Sequence, residues 1–145
     1  MACPFCDQDI INKQKIYESE NFWVFYNLRP ANKGQCLVVS KRHVNNLKEL
    51  PDEELGEMMQ LVKKISSKLE DYLKPAGFNC GFNEGIYSGQ AFEHFHFHIL
   101  PRFEGDKEQR LPKYHLFHRD PATKRNLTDE EIAPFVEEFK KVFGN

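Results

Sequence analysis

The segment EHFHFHILPRF, residues 93–103, places a histidine at positions 94, 96 and 98, with an aromatic or aliphatic residue after each. A repeat of two cannot occupy one face of an α-helix, where residues two apart point in nearly opposite directions. On a β-strand, side chains alternate, so His94, His96 and His98 fall on one side and Phe95, Phe97 and Ile99 on the other. The aromatic and β-branched residues between the histidines favour the same conformation. The segment is therefore read as a strand carrying imidazoles about 6 to 7 Å apart, anchored by an apolar face. Three of the six histidines of the chain lie in this row, which argues against a strand that merely happens to show histidine to solvent. Imidazole serves as metal ligand and as nucleophile or proton carrier, and spacing alone leaves both uses open.

Around this row, residues 15–27 read as two strands about a turn at 19–21, with FWVFY dense in strand-forming side chains. RPANKG (29–34) is a loop, and GQCLVVSK (34–41) is a further strand. Across 51–73, apolar residues including Leu55, Met58, Val62, Ile65 and Leu69 recur at three- and four-residue steps, which predicts one long helix. Its acidic first turn suits a helix N-terminus, and Pro75-Ala-Gly stops it. GFNCGFNEG (77–85) is a strand and the glycine-punctuated residues up to Gln90 form a loop. Thr128 with Glu131 is a capping-box signature for a last helix to about residue 143. The fold class is α+β. The expectation is a single domain over 1–145, in which 103–145 is an irregular C-terminal extension ending in a helix. His115 and His118 fall in that extension and are expected to be solvated loop residues, a second metal site being the alternative.

A chain of 145 residues with 40% hydrophobic side chains has enough apolar material for one core. Its formal net charge of -2 excludes a broad positive field for nucleic acid, although a local cluster of donors suffices for a small polyanion. No apolar run reaches the roughly 18 residues of a membrane helix, and MACPFCDQD lacks the pattern of a secretory leader. A soluble, cytoplasmic protein is expected. Cys36 and Cys80 lie singly in apolar runs and are read as small core residues. The CxxC pair, Cys3 and Cys6, is open to metal-binding, redox-active or incidental readings. The redox reading expects a thioredoxin-like βαβ setting, which the local pattern lacks.

Taken together, HFHFHIL, the CxxC start, Asn27 in YNLRP, KGQCLVVSKRHV, a long helix and NEGIYSGQ resemble the histidine triad superfamily of nucleotide hydrolases and transferases. The likeness covers roughly residues 3–102, and the ending HILPR resembles its dinucleoside polyphosphate hydrolase branch. The resemblance implies a HIT-like antiparallel sheet and cleavage of a dinucleoside polyphosphate, or a related nucleotidyl conjugate, at the α-phosphate. His96 would be the nucleophile that forms a covalent nucleotidyl-histidine. His98 would contact phosphate and assist the leaving oxygen, and Gln90 and Asn83 would bind phosphate. Asn27 would bind the ribose hydroxyls of a purine nucleotide, with Phe5, Phe25 or Leu28 candidates for the base pocket. Cys3, Cys6, His43 and His94 would hold a structural zinc, since four protein ligands leave no open position. A homodimer is implied as well.

Two residues depart from the family pattern. Ala91 follows Gln90 where several relatives carry a hydroxyl, which lowers the prospect of phosphoramidase activity. Gln35 stands where some branches have histidine and receives no role. Alternatives to a hydrolase are a phosphorylase that uses phosphate in place of water, a non-catalytic nucleotide sensor, and a zinc-stabilised interaction module.

Overall fold

The computed structural model describes residues 3–106 and 125–144. Five antiparallel strands, β1 (Lys15–Glu18), β2 (Phe22–Tyr26), β3 (Cys36–Ser40), β4 (Gly77–Gly81) and β5 (His96–Arg102), form one sheet in the order β1-β2-β3-β5-β4. Helices α1 (Gln8–Gln14), α2 (Asp52–Leu73) and α3 (Asp129–Phe143) pack around it. Together they make the α+β class expected. Among the described residues, no helix is long and apolar enough to cross a membrane.

Period-two alternation decides what each sheet face carries. In the β3–β5 ladder, Phe97 pairs with Val38 and Ile99 with Cys36. These four, with Phe22, Val24 and Tyr26 of β2, join the main core under α2 and α3. The intervening pairs, His96 with Val39 and His98 with Leu37, lie on the other face. There Leu37 and Val39 pack with Phe5, Ile11 and Phe25. Two histidines are thus held on a strand whose opposite face is fully committed to the core.

Helix α2 presents Met58, Leu61, Val62, Ile65 and Leu69 to the sheet. Its Glu57 accepts hydrogen bonds from the Asn21 amide at 2.8 Å and the Asn21 side chain at 2.7 Å, which ties the β1–β2 turn to the helix. The helix ends at Lys74 in the left-handed conformation, φ 54°, directly before Pro75. Helix α3 starts at the expected capping box: Thr128 accepts from the Glu131 amide at 3.2 Å, and Glu131 accepts from the Thr128 amide at 3.0 Å.

Helix α3 closes the chain as expected and joins the core, where Ile132, Val136, Phe139 and Phe143 are buried with the residues of α2 and the sheet. Two features differ from the sequence reading. Helix α1 was not anticipated; Asp7 caps it, accepting from the Asp9 amide at 2.9 Å. Cys80 is exposed because β4 is an outer strand, whereas Cys36 is buried in the middle of the sheet. His115 and His118 lie outside the described residues.

Phe139 has no exposed surface, and its ring lies tilted against those of Tyr26 at 5.4 Å and Phe143 at 6.1 Å, measured between ring centres. Phe139→Ala is expected to lower the unfolding free energy by about 3 to 5 kcal/mol, measured by denaturant titration. A loss below about 1 kcal/mol would show that α3 is not part of the cooperative core.

Candidate functional site

A cleft of about 310 Å³ opens on the sheet face opposite α2, lined by His96, His98, Asn27, Leu28, Leu37 and residues of α1 and the start of α3. The size lies at the lower end of the range for small-molecule sites. The strand expected over 93–103 begins only at His96. His94 sits at a bend before it, where the Phe95 amide donates to the Val44 carbonyl at 2.7 Å. The three imidazoles therefore do not form one row. His96 and His98 stay adjacent, with ring centres 5.1 Å apart, while His94 turns to a separate cluster.

That cluster joins Cys3, Cys6, His43 and His94, whose ligand atoms all lie within 4.8 Å of one another. His94 Nε2 donates to the Ser40 carbonyl at 2.6 Å, so its hydrogen is on Nε2 and the Nδ1 lone pair faces the cluster. Nδ1 lies 3.3 Å from Cys3 Sγ, 3.5 Å from Cys6 Sγ and 3.1 Å from His43 Nδ1. Cys6 Sγ lies 3.2 Å from His43 Nδ1. The edges of a tetrahedron built on zinc–sulfur and zinc–nitrogen bonds are about 3.3 to 3.8 Å, so these four distances stand close to the spacing that such an ion requires, while the set as a whole spans 4.8 Å. Burial raises the Cys6 thiol above its ordinary pKa and the Cys3 thiol beside it pushes further, a preference that a bound cation would reverse. Burial chiefly lowers His94, which favours the neutral ligand form.

The elements that carry these ligands are braced. Between the two cysteines, Phe5 is buried and its ring meets those of His94 at 5.8 Å and His96 at 5.2 Å. Arg42, beside His43, is paired with the largely buried Glu54 of α2 at 2.8 Å. The cluster, the N-terminal turn and the start of β5 thus form one packed unit.

His96 is buried to 7% exposure. Its Nδ1 donates to the His94 carbonyl at 2.8 Å, which leaves the Nε2 lone pair unprotonated on the ring that lines the cleft. Burial depresses its pKa below the ordinary histidine value, so the ring is neutral at neutral pH. His98 faces the same cleft, with Nδ1 3.4 Å from Gln35 Nε2. Asn27 lines the cleft at the end of β2, and its Oδ1 accepts from the Arg29 amide at 3.2 Å. Of the base-pocket candidates, Leu28 lines the cleft, whereas Phe5 and Phe25 are buried behind it.

Gln90 and Asn83 are not among the cleft-lining residues. The Gln90 amide is occupied within its own loop: Oε1 accepts from the Gly85 amide at 2.8 Å, and Nε2 donates to the carbonyls of Asn45 at 3.1 Å and Phe92 at 3.0 Å. In this conformation it fastens the glycine loop to the segment that carries His43. Asn83 follows β4, away from the cleft lining. The sequence reading also passed over the second wall of the cleft. Ile10, Lys13 and Gln14 of α1 face Asn126, Leu127 and Asp129 across it, with Lys13 and Asp129 paired at 3.1 Å. The Leu127 amide donates to the Leu28 carbonyl at 2.9 Å, and Arg29 Nε donates to Asn126. The available signals were Asp7 as a cap before an amphipathic stretch and Leu127 directly before the capping Thr128.

A family model described as the HIT domain matches residues 8–105. A HIT-like protein of Methanocaldococcus jannaschii is 42% identical over 110 residues, 73% of this chain and 83% of that protein. The bis(5'-adenosyl)-triphosphatase of Dictyostelium discoideum is 31% identical over 136 residues, 90% of this chain and 91% of that protein. Among solved structures, a zinc-bound histidine triad family protein from Mycobacterium smegmatis superposes with a TM-score of 0.73 at 28% identity, covering 99% of this chain and 94% of the other.

Because Gln90 Oε1 holds the Gly85 amide, Gln90→Ala is expected to speed hydrogen exchange at Gly85 by about tenfold, equivalent to roughly 1.4 kcal/mol of lost local protection. Exchange in β5 should stay unchanged, and equal rates at Gly85 in both proteins would show that the amide does not hold the loop.

Proposed function

The chain belongs to the histidine triad, or HIT-domain, family, and from that premise we propose that it is a nucleotide hydrolase. Its substrates are dinucleoside polyphosphates or related nucleotidyl conjugates, cleaved at the α-phosphate through a nucleotidyl group on His96. The observation that carries this reading is the hydrogen bond from His96 Nδ1 to the His94 carbonyl at 2.8 Å. It presents the Nε2 lone pair to the cleft without any separate base. The printed activity of the Dictyostelium relative, a bis(5'-adenosyl)-triphosphatase, supports the substrate class.

In the first step a bond forms between Nε2 and the α-phosphorus as the bond to the bridging oxygen breaks, and the electron pair leaves with the departing phosphate. The modified ring, still protonated on Nδ1, is a cation, and the His94 carbonyl faces that charge at hydrogen-bond distance. In the second step water adds to phosphorus, the P–N bond breaks, and the pair returns to Nε2. The proton of the water leaves with the product phosphate or to solvent. Phosphoryl transfer of this kind depends mostly on positioning and charge stabilisation. His98 donates to a phosphate oxygen in the cleft, Asn27 offers an amide to the ribose hydroxyls, and Leu28 and Leu37 supply apolar surface for the base. Gln90 and Asn83 are assigned to phosphate by the family resemblance alone, since neither lines the cleft.

Cys3, Cys6, His43 and His94 would hold zinc, a reading supported by their clustering within 4.8 Å, their mixed thiolate and imidazole chemistry, and the zinc-bound structural neighbour. A bound zinc would supply cross-linking of the N-terminus to the start of β5, with no open position for substrate. His43→Ala is expected to lose bound zinc on dialysis against a chelator and to lower the melting temperature by about 5 °C or more. Metal analysis that finds no zinc in the wild-type protein after purification with zinc present would contradict this.

The enzymatic claim is tested by turnover of diadenosine triphosphate and tetraphosphate. His96→Ala is expected to reduce turnover by at least about 10³-fold, whereas equal rates would reject His96 as nucleophile. Products of the tetraphosphate, analysed with and without inorganic phosphate, separate hydrolysis, which yields AMP beside ATP in both, from phosphorolysis, which yields ADP beside ATP and only when phosphate is present.

A further inference from the structure

Helix α1 ends on a glutamine that is almost wholly enclosed. Ile10, Lys13 and Gln14 stand at three- and four-residue steps and line the cleft together, while Ile11 is buried with Phe5, Phe25 and Leu37. Gln14 is 4% exposed. One end of its amide is fixed by the backbone: a carbonyl can only accept, so the atom 3.1 Å from the Tyr26 carbonyl is Nε2, which donates to it. Oε1 is the other end, and among the described residues it has no hydrogen-bond partner. An enclosed acceptor without a donor lowers stability, and this one belongs to a residue that lines the same cleft as His96 and His98. It suits a ligand that brings a hydrogen.

We propose that Gln14 is a specificity-determining residue whose Oε1 accepts from the amino group of the substrate's nucleobase, so that the cleft prefers a 6-aminopurine. The inference rests on the nucleotide reading of the cleft. The sheet sets the direction in which a nucleotide lies. Along the order β5-β3-β2-β1, His96 and His98 are at one end, Leu37 comes next, then Asn27 and Leu28 after β2, and Gln14 stands directly before β1. Three strand spacings amount to about 14 Å, a span that a nucleoside phosphate covers from its phosphorus to the far edge of its base. With the α-phosphate at His96 and the ribose at Asn27, the base lies over Leu28 and Leu37 and its edge meets Gln14.

The group on carbon 6 of the purine then decides affinity. Adenine carries an amino group there, which supplies the hydrogen that Oε1 lacks. Hypoxanthine carries a carbonyl, which would set two acceptors face to face, and unsubstituted purine carries only C–H, which leaves Oε1 unpaired. A site built to receive an N–H discriminates against the analogue without it far more than apolar contact does. Asn27 has a different part, because its Oδ1 accepts from the Arg29 amide at 3.2 Å and what it offers to the ribose oxygens is its pair of amide hydrogens.

The test is the binding of nucleoside 5'-monophosphates to the full-length protein, followed by titration calorimetry, with no reaction step involved. AMP is expected to bind about tenfold or more tightly than purine riboside monophosphate, and more tightly than inosine monophosphate. In Gln14→Met, which keeps the volume and loses the acceptor, AMP is expected to fall to the level of purine riboside monophosphate, whose own affinity stays unchanged. A second readout needs no variant: AMP labelled with ¹⁵N on the amino group is expected to show its amino protons shifted downfield on binding to the wild type. Equal wild-type affinities for AMP and purine riboside monophosphate, or a preference that survives in Gln14→Met, would overturn the proposal. So would a loss in Gln14→Met that falls equally on both ligands and is absent for 2'-deoxy-AMP, since the acceptor would then serve the ribose. If no monophosphate binds, the nucleotide reading of the cleft falls and the proposal with it. If AMP binds with the expected preference and diadenosine triphosphate is not cleaved, the proposal is supported and the hydrolase reading alone falls.

Discussion

The site depends on one hydrogen bond, from His96 Nδ1 to the carbonyl of His94 two residues earlier. A histidine ring free to rotate offers either nitrogen, in either tautomer, to whatever enters the cleft. Here the backbone accepts from one nitrogen, and the other is left as a lone pair at a fixed place. The carbonyl can do this because His94 itself does not rotate: its ring is buried, bonded to the Ser40 carbonyl and surrounded by the sulfurs of Cys3 and Cys6 and the ring of His43. The side chain of one histidine thus sets the backbone that orients the next.

The sheet supplies the rest of the rigidity. Phe97 and Ile99 are buried against α2 and the main core, so sliding β5 by one residue would drive His96 and His98 into that core and bring the phenylalanines out. The register is therefore strongly specified, and with it the place of both rings. On the cleft side, Phe5 stands between the cysteine-histidine cluster and the ring of His96. A change in the cysteine turn is accordingly felt at the ring of His96 through packing as well as through the backbone.

Much of this was legible in the residues. The alternation at 94–98 identified the strand and its two faces because a period of two has one structural meaning, and the three- and four-residue steps of 51–73 identified α2 to within a residue. The four members of the cysteine-histidine cluster come from three separate stretches of chain, and it took the family resemblance to group them before the fold did so. The limits were equally physical. That His94 leaves the strand depends on the pairing of Phe95 with Val44, a contact between segments far apart in sequence. Gln90 was expected at phosphate, yet its amide is taken by backbone groups of its own loop and of Asn45, and local pattern does not show which partner a buried or half-buried amide finds. Gln35 illustrates the same point in reverse, since only the approach of Ala31 and His98 reveals which end of its amide faces the His98 ring. The wall built by α1 and the residues before α3 arises from tertiary packing around Leu28 and Leu127.

The most direct measurement is the chemical identity of the nucleotidyl adduct. The protein is mixed with diadenosine triphosphate and quenched in alkali within a single turnover, and the modified histidine is located by peptide mass spectrometry and its attachment atom by ³¹P–¹⁵N coupling. The account predicts adenylate on Nε2 of His96. Attachment through Nδ1, attachment to another residue, or turnover with no covalent adduct would contradict it.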